Sequence, residues 1–488
     1  MHHLLRWVIG LVLAMLACSR VDGAEPFRIT VREKGSGWPV PLIELRTTDH
    51  VRWVTDNAGV VAFDLPEAMG HETWLTVSGH GYEIAADGLG SRGVRVKPVA
   101  GGATVIEVER KNVAYRVGRL TGAGLFGESE KCDPTLQHGI DLGIVGCDSI
   151  QNAVHRGRLY WFWGDTTLRK YPLGIFHATG ATTALPPQGK LIPPLRMPLE
   201  YFVDDEHQPK AVAKMPGDGP TWLTGVVSIN DRQGTPRLVA SYMKVKPPLT
   251  IYQWGLAVWN ESSQVFEPLR IVWTQSEDTP KAPPIAEGHA VRWTDDQGKA
   301  WILFGNPFPR LRCPDSFEAW QEPSNWEPLQ FPSVITLAAT TDAPKSNNLD
   351  SNGAASHVPG STEAPKNEVV PHSGSLAWNP YRKKWIAVFM EHFGKPSGFG
   401  EVWYVEGTGP LGPWGRAVKI VSHDNYSFYN PKLHPEFSAD GSTDLYFEGT
   451  YAAMFAQRAE PTPRYDYNQI LYRLDLTHPA LLDAQSGK

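Results

Sequence analysis

The chain has 488 residues, 41% hydrophobic and 11% aromatic, with 18 Trp, 46 Gly and 41 Pro. That composition suits short strands joined by many turns and argues against a helical or largely disordered chain. The formal net charge is -6 and no Lys/Arg-rich run interrupts the sequence, which argues against sequence-independent nucleic-acid binding and leaves neutral or polar partners.

The N-terminus reads as an export signal over residues 1–24. Arg6 supplies charge, Trp7 to Ala17 an apolar run, and Gly23 and Ala24 the small residues of a cleavage site. A lipoprotein reading would cut before Cys18, but Leu16 stands where such sites prefer a smaller residue, so the unlipidated form is favoured. No later apolar segment reaches spanning length, so the expectation is an exported protein, periplasmic, surface-bound or secreted, whose mature chain does not insert in a membrane. Cys132, Cys147 and Cys313 follow. An odd count leaves at least one thiol unpaired in a single chain, and no CxxC spacing points to structural zinc.

Residues 25–113 alternate with period two in short runs: FRITVRE, PLIELRTT, VRWVTD, GVVAFDLP, ETWLTVSGHGYE, GVRVKPV and ATVIEVER. Seven such runs at sandwich spacing predict two packed antiparallel sheets. The segment resembles the carboxypeptidase regulatory-like, transthyretin-like modules. The resemblance rests on Gly37-Trp38-Pro39-Val40-Pro41 after the first strand, Thr55-Asp56-Asn57-Ala58-Gly59 before VVAFDLP, and the VSGHGYE run. It implies a spacer or passenger that the chemistry does not need.

After a Gly-rich linker, Leu120 to Gly127, a longer repeat begins. Five hairpins recur: CDSIQNAVHRGRLYWFWGD, TGVVSINDRQGTPRLVASY, EGHAVRWTDDQGKAWILFGN, SGSLAWNPYRKKWIAVFME and NPKLHPEFSADGSTDLYFE, each followed by chain enough for two more strands. The economical reading is an all-β protein in which residues 114–478 form a five-bladed β-propeller. The even spacing disfavours one large sandwich. Residues of about 341–371, rich in Ser, Asn, Pro and Gly, read as a mobile insertion.

In a blade, the start of the first strand and the end of the second lie at the same face. This geometry pairs Asp148 with Asp165, Thr224 with Tyr242, Glu287 with Asn306, Ser373 with Glu391 and Asn430 with Glu448, each 17 to 19 residues apart. Five carboxylates are thereby expected at one rim. A single Asp or Glu at a strand end usually serves a turn or a surface ion pair, but like charges gathered in a funnel raise one another's pKa.

The repeat region resembles the five-bladed propeller glycoside hydrolases of the arabinanase and xylosidase kind, with their endo-D-arabinanase-like relatives. In that group a base Asp opens the inner strand of blade one, where Asp148 stands, and an acid Glu followed by Gly opens that of blade three, where Glu287 stands. Gly164-Asp165-Thr166 matches a Gly-Asp-Thr of the arabinanase-like relatives. Two positions depart from the pattern: Ser149 follows the base in place of Pro, and Thr224 stands where blade two would offer a pKa-tuning Asp, leaving that third role to Asp165.

The resemblance implies hydrolysis of an oligo- or polysaccharide by two carboxylates, with Asp148, Glu287 and Asp165 catalytic. Its lean is towards inversion. His289, His372, Glu391, Tyr426, Tyr429, Asn430 and Glu448, with His434 and Tyr451 near them, are the candidates for holding sugar by hydrogen bonds and ring faces. No cofactor is required and no metal motif is present, although a structural Ca²⁺ on the propeller axis would fit the fold. Two rival readings stand beside this one. One is a non-catalytic carbohydrate- or protein-binding propeller, and the other a polysaccharide lyase using His289, His372, Tyr429 and Arg312.

Overall fold

The computed structural model describes residues 25–136, 139–185, 191–338, 367–456 and 460–485. The expected export signal, and 341–366 of the expected insertion, lie outside the described residues. Residues 367–371, which were expected to belong to that insertion, instead contribute the short strand Glu368–Val369 and the first residue of Pro371–Asn379. No described helix is long and apolar enough to cross a membrane.

Five four-stranded antiparallel sheets form the propeller. Blade one is Ile150–His155, Arg158–Trp163, Thr179–Ala184 and Glu200–Tyr201, and blade two is Thr221–Asn230, Pro236–Lys246, Thr250–Asn260 and Val265–Thr274. Blade three is His289–Thr294, Ala300–Gly305, Pro309–Pro314 and Glu327–Pro328, and blade four is Pro371–Asn379, Lys384–Glu391, Val402–Gly407 and Val418–Val421. Blade five takes Ser427–Leu433, Asp444–Ala452 and Asn468–Asp475 from the end of the chain and completes itself with Tyr115–Arg119, which precedes blade one. The ring is thus closed by pairing the two ends of the propeller sequence, so no long unpaired edge remains at the seam.

Local chemistry explains the hairpins. Arg156 and Gly157 both have positive φ, 47° and 78°, in the two-residue turn of blade one. Blades two and three use an Asp-x-x-Gly turn: Asp231 Oδ1 accepts from the amides of Gln233 and Thr235, and Asp295 Oδ1 from those of Gln297 and Lys299, with Gly234 and Gly298 at positive φ. Between blades, inward side chains form successive apolar clusters such as Phe162, Trp259 and Phe266 between blades one and two, and Phe308, Phe389 and Trp403 between blades three and four.

The inner strands are joined around the axis by hydrogen bonds. Val226 N donates to Gln151 Oε1, Gly225 N to Gly288 O at 2.9 Å, Gly374 N to Asn306 Oδ1 at 2.7 Å, Leu433 N to Ser375 Oγ at 2.7 Å, and Asn430 Nδ2 to Ser149 Oγ at 2.6 Å. Every blade is therefore tied to the next, and by the radial arrangement the residues heading the inner strands share one mouth.

The N-terminal region packs two four-stranded sheets over a core that includes Ile29, Val31, Leu45, Val61, Phe63, Leu75 and Ile106. It has eight strands rather than the seven expected, because Gly79-His80-Gly81 breaks the long fifth run. Thr73–Ser78 stays in one sheet and Tyr82–Glu83 crosses to the other.

Candidate functional site

The first hairpin of blade one continues past its own sheet. Ile144–Cys147 and Thr166–Leu168 pair again beyond the break, with Tyr171–Ile175 beside them. Asp148 and Asp165 sit at that break, where Asp148 N donates to Asp165 O at 3.1 Å and Gly164 N to Asp148 O at 2.8 Å. A Cβ on Gly164 would collide with Asp148 Oδ1, so the carboxylate occupies space that only glycine leaves. Ser149, with φ 39°, turns the chain back into the blade.

Asp148 is half-buried. Its Oδ2 accepts from Tyr467 Oη at 2.8 Å and from Tyr429 Oη at 3.3 Å. Burial first, then the adjacent Asp165 carboxylate, push its pKa up to about 7, against the two tyrosine hydroxyls, which favour the ionised form. Asp165 is itself raised by burial and eased down by Trp222, whose Nε1 donates to Oδ1 at 3.1 Å. Two carboxylates are therefore held together in a place that resists a double negative charge.

Glu287 heads blade three, preceding His289–Thr294. The turn behind it is set by Thr224, whose Oγ1 accepts from Gly288 N at 2.7 Å, and by Gly288 at φ 87°, where a Cβ would meet Gly305 O. Burial raises the Glu287 pKa and Arg310 lowers it. Among the described residues no hydrogen bond ties down its carboxyl group, in contrast to Asp148.

A band of rings runs along the mouth from blade four to Asp148. His372 stacks on His392 at 5.2 Å, His392 meets Phe393 at 4.4 Å, Phe393 meets Phe399 at 5.0 Å, Phe399 meets Phe455 at 5.9 Å, and Phe455 meets Tyr429 at 5.6 Å. Phe393 and Phe455 are more than half exposed, at 57% and 55%. Desolvation among these rings, then His392 and Arg310, lower the His372 pKa to about 4, so the imidazole is neutral at ordinary pH.

Deeper in, a polar cluster is shut away from water. His434 bonds Glu448 through Nε2 at 2.8 Å and Glu436 through Nδ1 at 2.9 Å, and Asn152 Nδ2 donates to Glu436 at 2.9 Å. Burial alone would lower the His434 pKa, but the two carboxylates raise it. His289 goes the other way: burial, then Lys432 and His434, hold it well below its usual value. The Lys432 ammonium beside His289 is a poor neighbour for a cation, and no group of three or more His, Cys, Asp or Glu among the described residues is placed to hold a metal.

Of the sequence candidates, the fold brings Asp148, Asp165, Glu287, Tyr429 and His372 to the mouth, with Asn430 bonded to Ser149 beside Asp148. Of the five carboxylates expected at one rim, Glu448 is turned inward and fully buried. Bulges between Thr224 and Val227, Pro371 and Gly374, and Tyr429 and Lys432 insert residues at the mouth end of three inner strands. They shift the pairs beyond them, so that Thr224 lies opposite Ser241 rather than Tyr242 and Glu391 opposite Pro371 rather than Ser373, while Glu448, on the turn side of the last bulge, pairs with Lys432 rather than Asn430 by the hairpin register itself. Glu391 consequently receives the Trp403 indole at 2.9 Å, and Glu448 is fully buried against His434.

Tyr426 and Tyr451 stack on each other at 4.1 Å on a cleft of about 560 Å³ between blade five and the sandwich. Arg312 lies in the third strand of blade three, paired with Glu327 and packed on Trp301. Tyr467, Trp222, Arg310, Phe393, Phe399 and Phe455 were not anticipated. Only the aromatic-rich Tyr465-Asp466-Tyr467 stretch carried a visible signal.

No family model and no curated protein matches the chain. Among solved structures it is similar to an exo-β-1,3-galactanase from Phanerochaete chrysosporium, at 10% identity and TM-score 0.38 over 68% of this chain and 61% of that one. It is also similar to an exo-1,5-α-L-arabinanase from a bovine ruminal metagenomic library, at 12% identity and TM-score 0.36 over 68% and 94%. A third is a glycoside hydrolase family 43 protein from Bacillus licheniformis, at 12% identity and TM-score 0.35 over 68% and 71%. The chain thus spans about three fifths of the galactanase's length, and similarity this distant bears on neither activity nor substrate.

Proposed function

We propose that the protein is an exported glycoside hydrolase that cleaves an oligo- or polysaccharide, with Asp148 as general base, Glu287 as general acid and Asp165 as the neighbour that tunes the base. The observation that carries this reading is the pair of raised carboxyl groups, Asp148 and Glu287, heading the inner strands of blades one and three at a common mouth. Glycosidic cleavage needs one carboxyl group to protonate the leaving oxygen and one carboxylate to act on the opposite face of the sugar.

The two environments divide the work. Tyr467 and Tyr429 donate to Asp148 and favour its carboxylate, which takes a proton from the attacking water. Glu287 has burial without a donor to its carboxyl group among the described residues, which favours the protonated acid. The course proposed is inversion, which needs the two carboxyl groups about 6.5 to 9.5 Å apart so that a water fits; blade two stands between their strands in the ring. The ring band from His372 to Tyr429 supplies apolar faces against which sugar rings stack. No cofactor enters this chemistry.

The test is a polysaccharide panel assayed with the purified chain and with Asp148→Asn and Glu287→Gln, scoring new reducing ends, ultraviolet absorbance and the anomer first released. Reducing ends without absorbance, lost in both variants and appearing with inverted configuration, support the proposal. Activity retained in both variants refutes the assignment, absorbing products indicate a lyase, and binding without turnover indicates a carbohydrate-binding propeller.

A further inference from the structure

We propose that Tyr465 is a positioning residue for Asp148, and that the Thr55-Asp56-Asn57 turn of the N-terminal sandwich is the anchor through which it acts. The proposal rests on Asp148 being the functional carboxylate of the mouth. It departs from the expectation that the sandwich is dispensable for chemistry.

A polar turn at the tip of a small domain ordinarily faces water. Here Thr55, Asp56 and Asn57 are 0%, 3% and 2% exposed. The Thr55 hydroxyl and Asp56 Oδ1 bond within the sandwich, and each of the three residues also bonds a group beyond it. Asn57 Oδ1 accepts from Arg119 N at 2.8 Å while its Nδ2 donates to Arg119 O at 3.0 Å and to Leu195 O at 3.2 Å. Asp56 Oδ2 accepts from Ser129 N and Oγ, both at 2.6 Å. Thr55 O accepts from Tyr465 Oη at 2.7 Å, a bond buried at both ends. The Asn57 side chain fills the space that a Cβ on Gly118 would need, so the strand closing blade five is shaped to receive this turn.

Tyr465 belongs to the segment that enters the third strand of blade five. Arg464 and Tyr467 have φ of 66° and 57°, a left-handed conformation that costs free energy for residues with side chains and persists only when neighbours enforce it. The enforcing contacts converge on this stretch. Arg119 Nη2 donates to Arg464 O at 2.6 Å and its guanidinium lies 4.4 Å over the Tyr465 ring. Arg464 pairs with Glu128, whose other oxygen accepts from Ala62 N of the sandwich at 3.2 Å. Two residues past Tyr465, the Tyr467 hydroxyl reaches Asp148. The sandwich, Tyr465 and the carboxylate are thus joined through one short, conformationally constrained segment.

The test uses the full chain and requires no substrate. The pH dependence of the stability difference between the unsubstituted chain and Asp148→Asn reports the pKa of Asp148, and the same pair is compared in Tyr467→Phe and Tyr465→Phe backgrounds. Removing the Tyr467 hydroxyl takes a donor from the carboxylate and moves the midpoint up by about half to one pH unit. Tyr465→Phe moves it in the same direction by at least half as much, although its own hydroxyl bonds Thr55 and not Asp148. Leu75→Ala, which opens a cavity in the sandwich core, lowers stability and leaves the midpoint in place. A midpoint unmoved by Tyr465→Phe, or moved equally by Leu75→Ala, overturns the proposal. Because the readout is a titration, failure of the hydrolase reading alone leaves these shifts intact.

Discussion

Replacing Asp148 by Asn should stabilise the fold at alkaline pH while abolishing activity. The folded-state pKa of about 7 against the ordinary 3.8 means that the folded chain holds this proton more tightly than the unfolded one. The stabilising contribution of that proton is fully present below about pH 4 and is lost as pH rises through about 7. At roughly 1.36 kcal/mol per pH unit, the rise corresponds to about 4 kcal/mol between those limits. Water reaches the half-buried group and relaxes part of the cost, so about 2 kcal/mol is the firmer expectation. Asn keeps the shape and an acceptor for the tyrosine hydroxyls but carries no charge. Urea denaturation at pH 4, 6 and 8 should therefore show near-equal midpoints for the two chains at pH 4, most of the advantage for Asp148→Asn already present at pH 6, and a smaller further gain by pH 8 as the effect levels off. A difference independent of pH, or a variant less stable at pH 8, would refute the argument that burial and Asp165 strain the ionised carboxylate.

Other consequences follow from the same geometry. Tyr467→Phe raises the Asp148 pKa, so the acidic limb of kcat/KM should move up by about half to one pH unit, read from a pH profile on the substrate that the panel identifies. Glu287→Gln should lower turnover of unactivated glycosides by about 10² to 10⁴-fold and spare substrates whose leaving group needs no proton, measured with a matched aryl glycoside series. Phe393→Ala and Phe455→Ala should raise KM with little change in kcat if these rings stack on sugar remote from the reacting bond. His434→Ala leaves Glu448 and Glu436 buried without their shared partner and should cost about 3 to 5 kcal/mol, visible as a lowered denaturation midpoint.

Much of the propeller is written locally. Hairpin turns such as Arg156-Gly157 and the Asp231 and Asp295 turns announce themselves by residues that tolerate or stabilise their backbone, and period-two alternation does the rest. Asp148 and Asp165 were legible for the same reason, since one tight hairpin fixes both. Bulges are harder to read because the extra residue has no composition of its own. Glu448 was misplaced for a different reason: the hairpin register sets it opposite Lys432, two residues deeper than Asn430, where it meets His434. Closure by Tyr115–Arg119 and the contact of Tyr467 with Asp148, 319 residues away, depend on where distant segments meet after folding. The Thr55-Asp56-Asn57 turn misled in the opposite sense. Its residues suit an exposed turn equally well, and only the backbone groups of Arg119 and Ser129 waiting opposite make it an interface.

The energetic logic of the mouth links these findings. Two carboxylates held side by side and partly shielded from water oppose folding, and the tyrosine and tryptophan donors offset only part of that opposition. Stability must come from elsewhere, and the hydrogen bonds joining the inner strands of all five blades surround the strained site on every side. On the N-terminal side of Tyr467, Asp466 Oδ1 accepts from Ala453 N and Tyr426 Oη of blade five. The buried contact of Tyr465 with the sandwich turn adds a second hold on the same segment. A propeller whose last blade is completed by an N-terminal strand already needs the preceding chain nearby, so the same closure that removes a sheet edge also delivers the anchor to the site.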